Sequence, residues 1–126
     1  MKADFVYTGI RVSDLEKSVE FYSRVLGMKV IGRESIKETD GEVVELKSRK
    51  DGPSLELNFY RKGTQHDVPY LPGEGLDHLA FRVENLDNAI AEAARAGHPV
   101  VAEVKTERSR WVYIRDPDGL YIELVS

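Results

Sequence analysis

The chain repeats itself. Shifting residues 12–26 by 71 positions lays Val12 on Val83, Leu15 on Leu86, Val19 on Ile90, Tyr22 on Ala93 and Leu26 on Gly97. Within 126 residues such a repeat leaves room for two small, similar units and excludes two independent enzymatic domains.

Each copy of the repeat is built around a helix. In the first, Ser13 and Glu16 form a capping-box pattern, Leu15, Val19, Tyr22 and Leu26 mark one face, and Gly27 supplies the stop. In the second, the helix starts near Asn85, shows Leu86, Ile90 and Ala93 on one face, and closes at Gly97. An apolar stretch precedes each helix, at residues 5–12 and 76–83, and three short strand-like runs follow it. Those runs cover residues 28–32, 42–48 and 54–60 in the first half, and 99–104, 110–115 and 120–125 in the second. Asp51-Gly52-Pro53 and Asp116-Pro117-Asp118-Gly119 mark the turns before the last strands. Each half therefore reads as β-α-β-β-β. The expected organisation is one α+β domain over residues 1–126, with modules at 4–60 and 76–126 and a linker at 61–75. Neither half is large enough to be secure alone, so the expected architecture is a pair of curved mixed sheets around a cleft.

Composition narrows the function. No apolar run approaches the roughly 20 residues that a membrane helix needs. The opening residues hold no apolar leader segment, which makes cytoplasm the default expectation. Cys is absent, so disulfides, thiolate metal sites and cysteine nucleophiles are excluded, and any metal must be held by oxygen and nitrogen. A net charge of -4 argues against an extended nucleic-acid footprint. The short basic runs Lys47-Ser48-Arg49-Lys50 and Arg108-Ser109-Arg110 read as solvated strand ends and turns. Asp116-Pro117-Asp118-Gly119 lacks the continued acidic spacing of a calcium loop, and the scattered glycines form no phosphate-cradling motif.

The last strand of each half carries a carboxylate inside an apolar run: Glu56 between Leu55 and Leu57, and Glu123 between Ile122 and Leu124. At period 2, Glu56 and Asn58 face away from Leu55 and Leu57, while Tyr121, Glu123 and Val125 face away from Ile122 and Leu124. On one strand alone, such residues read as a solvent face. His78, on the first strand of the second half, shifts the balance. Imidazole with two carboxylates on short repeated strands is a competent donor set for a divalent ion that keeps positions open for substrate. The candidate ligands are therefore Glu56, His78 and Glu123, with Tyr7 beside them where the repeat calls for a second His. Trp111 and Tyr113 share a strand face and either pack or line an apolar substrate wall. His66 reads as an exposed linker residue, and His98 follows a helix end where positive charge is favourable.

Several of these segments, in this order, resemble the vicinal oxygen chelate superfamily, the glyoxalase/bleomycin-resistance/dioxygenase fold. They are Ile10-Arg11-Val12-Ser13-Asp14-Leu15 running into Phe21-Tyr22 and Leu26-Gly27-Met28, then Leu55-Glu56-Leu57, Asp77-His78-Leu79-Ala80-Phe81, and Asp116-Pro117-Asp118-Gly119 before Ile122-Glu123-Leu124. Within that superfamily the sequence is most similar to glyoxalase I, the lactoylglutathione lyase. The resemblance implies one divalent ion per site (Ni, Zn, Co, Mn or Fe) on Glu56, His78 and Glu123, with Tyr7 at the position of the family's first His ligand. It implies proton transfer on a small vicinal-dioxygen substrate such as a hemithioacetal, with Glu123 or Glu56 as the mobile base. Glu123 is the first choice because it lies on the last strand, and the repeat makes Glu56 nearly its equal. Arg11, matched to a residue that contacts a substrate carboxylate, joins Asn58, Trp111 and Tyr113 as expected substrate-binding residues. A homodimer is implied, with a small-molecule substrate and neither nucleic acid nor membrane as partner. The alternatives left open are a metal-free binding protein of the bleomycin-resistance type, a thioester epimerase and an extradiol dioxygenase.

Overall fold

The computed structural model of the chain describes residues 1–2 and 4–126. Its contacts fall into two compact units, Met1–Tyr70 and Leu71–Ser126. The first contains β1 (Tyr7–Arg11), α1 (Leu15–Glu20), β2 (Lys29–Ile36), β3 (Gly41–Lys47) and β4 (Ser54–Tyr60). The second contains β5 (His78–Arg82), α2 (Leu86–Arg95), β6 (Ala102–Lys105), β7 (Arg110–Arg115) and β8 (Tyr121–Val125). This is the β-α-β-β-β order expected of both halves. Each unit holds one mixed sheet, ordered β1-β4-β3-β2 in the first and β5-β8-β7-β6 in the second. The first and last strands of each unit run parallel, and the remaining neighbours are antiparallel.

Alternation along the strands sorts the two sheet faces as the sequence pattern predicts. One face of the first sheet buries Val44, Leu46, Leu55 and Leu57 together with Leu15, Phe21 and Tyr22. The second sheet buries Val112, Ile114, Ile122 and Leu124, with Leu86 and Ala93 contributed by α2. Complete burial of a side chain of this size contributes about 1.5–3 kcal/mol, which makes these faces the main source of stability in each unit. Glu56, Asn58 and Glu123 lie on the opposite faces.

The helix starts follow the repeat more closely than the capping-box pattern does. Asp14, not Ser13, caps α1, its carboxylate accepting the Lys17 amide at 3.1 Å. Asn85 does the same for the Asn88 amide at 3.0 Å, so the two caps lie 71 residues apart. Glu16 is not folded back onto the cap, because it pairs with Arg33. After α1 the chain widens into a π-helical turn over Phe21–Val25, which places Phe21 and Tyr22 side by side in the core with their rings edge-on at 5.1 Å. The inward face thus runs through Leu15, Ser18, Phe21 and Tyr22, and Val19 is only half-buried.

Gly27 and Gly97 end the helices at φ of +69° and +90°, conformations that a Cβ disfavours. Past Gly97, the His98 Nδ1–H donates to the Arg115 carbonyl at 2.8 Å, tying the end of α2 to β7. Asp116 is buried, and its carboxylate accepts the amides of Asp118 and Leu120, closing the turn into β8.

The helix α1 carries a buried hydroxyl into the first core. Ser18 is fully buried, and its hydroxyl makes no hydrogen bond among the described residues. An unsatisfied buried group costs about 1–3 kcal/mol. Ser18→Ala is therefore expected to raise stability by about 1 kcal/mol and the thermal midpoint by a few degrees. A midpoint in differential scanning calorimetry that is unchanged or lower would show that the hydroxyl is satisfied.

Candidate active site

Each module arms the face of its sheet that points away from the helix, and in each the parallel strand pair sets the register. In the second module β5 lies beside β8, with His78 opposite Tyr121 and Ala80 opposite Glu123. On the other side of β8, Tyr113 lies opposite Glu123. Three side chains converge as a result. The Tyr113 hydroxyl donates to Glu123 Oε2 at 2.9 Å, and His78 Nε2 lies 3.4 Å from the same oxygen. The His78 and Tyr113 rings meet edge-on at 5.6 Å. Tyr113 is thus a partner of the carboxylate more than a wall, and this bond, followed by burial, raises the phenol pKa above its ordinary value. Trp111 sits two residues away along the same face of β7, half-buried and in register with Val125.

Asp77, directly before the histidine in Asp77-His78-Leu79-Ala80-Phe81, orients the imidazole. Its Oδ1 lies 2.6 Å from His78 Nδ1. A carboxylate accepts only, so Nδ1 carries the proton and a neutral ring turns its Nε2 lone pair toward Glu123. At 3.4 Å, Nε2 and Oε2 are placed either for an ion pair or as two ligands of one metal ion. Ligands bound at about 2.1 Å with tetrahedral angles stand about 3.4 Å apart, so the pair matches two positions of a divalent ion. A carboxylate on the far ring nitrogen is also the usual support of a ligating His. The chemistry of the donor set therefore fits a metal. Among the described residues, no group of three or more His, Cys, Asp or Glu side chains gathers to hold one.

The first module builds the corresponding row from different residues. Glu56 on β4 lies opposite Gly9 on β1 and opposite Glu45 on β3. Burial raises the Glu56 pKa above the ordinary carboxylate value, with further upward pushes from Glu45 and Glu34. Glu45 is held by the Ser54 hydroxyl at 2.6 Å. Among the described residues the Glu56 carboxylate accepts no hydrogen bond, in contrast to Glu123. Gly9 leaves the room these side chains occupy, because a Cβ there would stand 3.2 Å from Asn58 Nδ2 and 4.0 Å from Glu56 Oε2. Asn58 Nδ2 lies 3.4 Å from the Glu56 carbonyl oxygen. Tyr7 opens β1 opposite Ser54, the place that His78 takes on β5, and its side chain is about half exposed.

Arg11 and His66 make contacts that no local pattern suggested. The Arg11 guanidinium donates to the carbonyls of Val68 and Pro69, the latter at 3.0 Å, and lies 5.3 Å over the Tyr70 ring. It is engaged by the linker of its own chain. His66 is half-buried and stacks on Tyr60 with ring centroids 4.8 Å apart, so it is not the exposed linker residue expected.

Residues 4–124 match the Glyoxalase/Bleomycin resistance protein/Dioxygenase superfamily. The chain belongs to that superfamily. Among its relatives, a lactoylglutathione lyase of Neisseria meningitidis is 31% identical over 125 residues, covering 95% of this chain and 88% of that protein. Among solved structures, the trypanothione-dependent glyoxalase I of Leishmania major superposes with a TM-score of 0.79 at 29% identity, covering 99% of this chain and 87% of that one. A glyoxalase family protein from Enterococcus faecalis gives a TM-score of 0.79 at 25% identity, covering 98% and 97%. Superfamily membership agrees with the duplicated fold.

The electrostatic asymmetry between the two carboxylates is measurable. Because the pKa of Glu56 is raised in the fold, its ionisation subtracts stability as pH rises above the unfolded value of about 4.5. In a carboxyl-detected NMR titration, the Glu56 midpoint is expected above that of an ordinary glutamate and should fall toward it in Glu45→Gln. A midpoint that does not move would remove Glu45 as a cause.

Proposed function

We propose that this protein is a glyoxalase I-like, metal-dependent isomerase that transfers a proton between adjacent carbons of a small vicinal-dioxygen substrate such as a hemithioacetal. The observation that carries the reading is the facing pair of acceptors, His78 Nε2 and Glu123 Oε2, with the His78 proton fixed on the far nitrogen by Asp77. Similarity to lactoylglutathione lyases supports it further. His78, Glu123 and Glu56 would hold one divalent ion, with Ni, Zn, Co, Mn and Fe as the candidates. When bound, the ion supplies charge stabilisation to the two substrate oxygens as a carbon-bound proton is lost. We assign the complete set to a homodimer, the assembly that the family resemblance implies.

The two carboxylates divide the work. Glu123 is held by Tyr113, which fixes its direction. Glu56 has no such partner, and its raised pKa brings its proton affinity closer to what a base working near neutral pH requires. We therefore take Glu56 as the mobile base ahead of Glu123. Asp77 acts as a positioning residue through His78.

The test loads the purified protein separately with Ni, Co, Zn, Mn and Fe(II), then follows methylglyoxal with glutathione and solvent-deuterium exchange into product. Glu56→Gln is expected to lower kcat by about 10²–10⁴-fold. Asp77→Asn is expected to weaken metal affinity by about 10–100-fold in equilibrium dialysis. Light scattering should give twice the chain mass of 14.3 kDa. Metal-independent exchange, or exchange that survives in Glu56→Gln, would overturn the mechanism. The second reading is a metal-free binding protein, favoured by Tyr7 in the place of a His. It predicts ligand binding that neither metal nor Asp77→Asn alters.

A further inference from the structure

The reacting end of a substrate accounts for Glu56, yet the same sheet face continues into a region of opposite charge. A cavity of about 390 Å³ in the first module is lined by Lys29, Ile31, Lys47, Ser48, Arg49 and Lys50. Lys29 and Lys47 stand directly opposite each other on β2 and β3, a like-charge cross-strand pair that opposes folding. Among the described residues, none of the four cations makes an ion pair, whereas Lys17, Arg24, Arg33, Arg61 and Arg110 all do. In a chain of net charge -4, four uncompensated cations around one concavity are not a by-product of an overall basic surface.

The backbone shapes this cavity in two ways. An irregularity in the β2–β3 pairing at Ile31, between Val30 and Gly32, swings the Ile31 side chain into the wall. The turn after β3 then folds back so that the Gly52 amide donates to the Arg49 carbonyl at 3.0 Å. A Cβ on the buried Gly52 would stand 2.8 Å from Arg49 Cγ and 3.4 Å from its Nε, so the arginine stem lies across the glycine. Its position on the sheet relates the cavity to the carboxylates. Lys47 is two residues from Glu45 along the same face of β3, about 7 Å, and Glu45 lies opposite Glu56.

We propose that this cavity is an anion-binding subsite that holds the phosphate or carboxylate end of the small-molecule substrate whose reacting carbons lie at Glu56. The assignment to substrate rests on the proposed function above, whereas the anion site itself stands on the cavity alone. Arg49 offers a forked donor, and the lysines act as adjustable point charges. The cavity volume suits one such group on a small ligand, and the net charge of the chain disfavours a polyanion.

The experiment titrates the full-length protein with inorganic phosphate and, separately, with malonate, at ionic strength held constant with chloride, and reads backbone amide shifts. Saturable shifts are expected at Lys29, Ile31 and residues 47–50, with affinity falling at least tenfold in the Lys29→Gln/Lys47→Gln double variant and unchanged in Lys105→Gln. The anion giving the tighter saturation identifies the group. Shifts spread over all surface cations, or an affinity unaltered in the double variant, would overturn the site. Tighter binding of a single-stranded oligonucleotide with steep salt dependence would overturn the small-molecule assignment.

A second arm separates this proposal from the reaction. With an anionic and a neutral thiol as hemithioacetal partners of methylglyoxal, the double variant should raise KM at least tenfold for the anionic substrate only, with kcat preserved. Equal KM changes for both substrates would overturn the substrate role and leave the isomerase reading intact. Localised phosphate binding without deuterium exchange from any substrate would overturn the isomerase reading, and with it the substrate role, while the anion site remains.

Discussion

The parallel pairing of the first and last strands in each module determines everything else about the candidate site. It places Gly9 beside Glu56 and Ala80 beside Glu123, residues separated by most of a module in sequence. A parallel pair cannot be joined by a hairpin, so the chain must cross over through a helix and two further strands before it returns. That crossover is the helix whose inner face closes one side of the sheet. The opposite side is left for polar groups, and the short side chains of Gly9 and Ala80 leave space there for the carboxylates. A small residue on the first strand and a carboxylate on the last are two halves of one steric requirement.

Duplication supplied the scaffold twice, and the two copies carry different chemistry on the same positions. Tyr7 stands where the second module has His78, and Glu45 stands where it has Tyr113. The second difference matters most for the carboxylates. Opposite a phenol, Glu123 gains a donor and a fixed direction. Partly buried and opposite another carboxylate, Glu56 gains a greater affinity for a proton, from burial first and from repulsion second. One backbone thus yields a held acid and a restless one.

Much of this was legible because it is periodic. The bounds of β4 and β7 and both glycine helix stops follow from alternation and turn chemistry, which are local. The side on which Glu56 and Glu123 lie follows for the same reason. What escaped was set by partners distant in sequence. Glu16 looks like half of a capping box until Arg33, 17 residues away, claims it and leaves Asp14 as the cap. The bonds from Arg11 to carbonyls 57 and 58 residues downstream are likewise beyond any local pattern. Glu45 draws no notice as one acid among many on β3, and only the register shows it facing Glu56. Asp77 was the one omission with a local signal, an acid directly before the histidine at a strand entrance.

The bond from His98 to the Arg115 carbonyl has a consequence for how the second module is tied together. A carbonyl only accepts, so Nδ1 is the donor. Arg115 ends β7, the strand that sets Tyr113 opposite Glu123. One side chain thus spans from the turn that stops α2 to the strand that holds the carboxylate, so the helix packed on one face of the sheet is fastened to the polar row on the other.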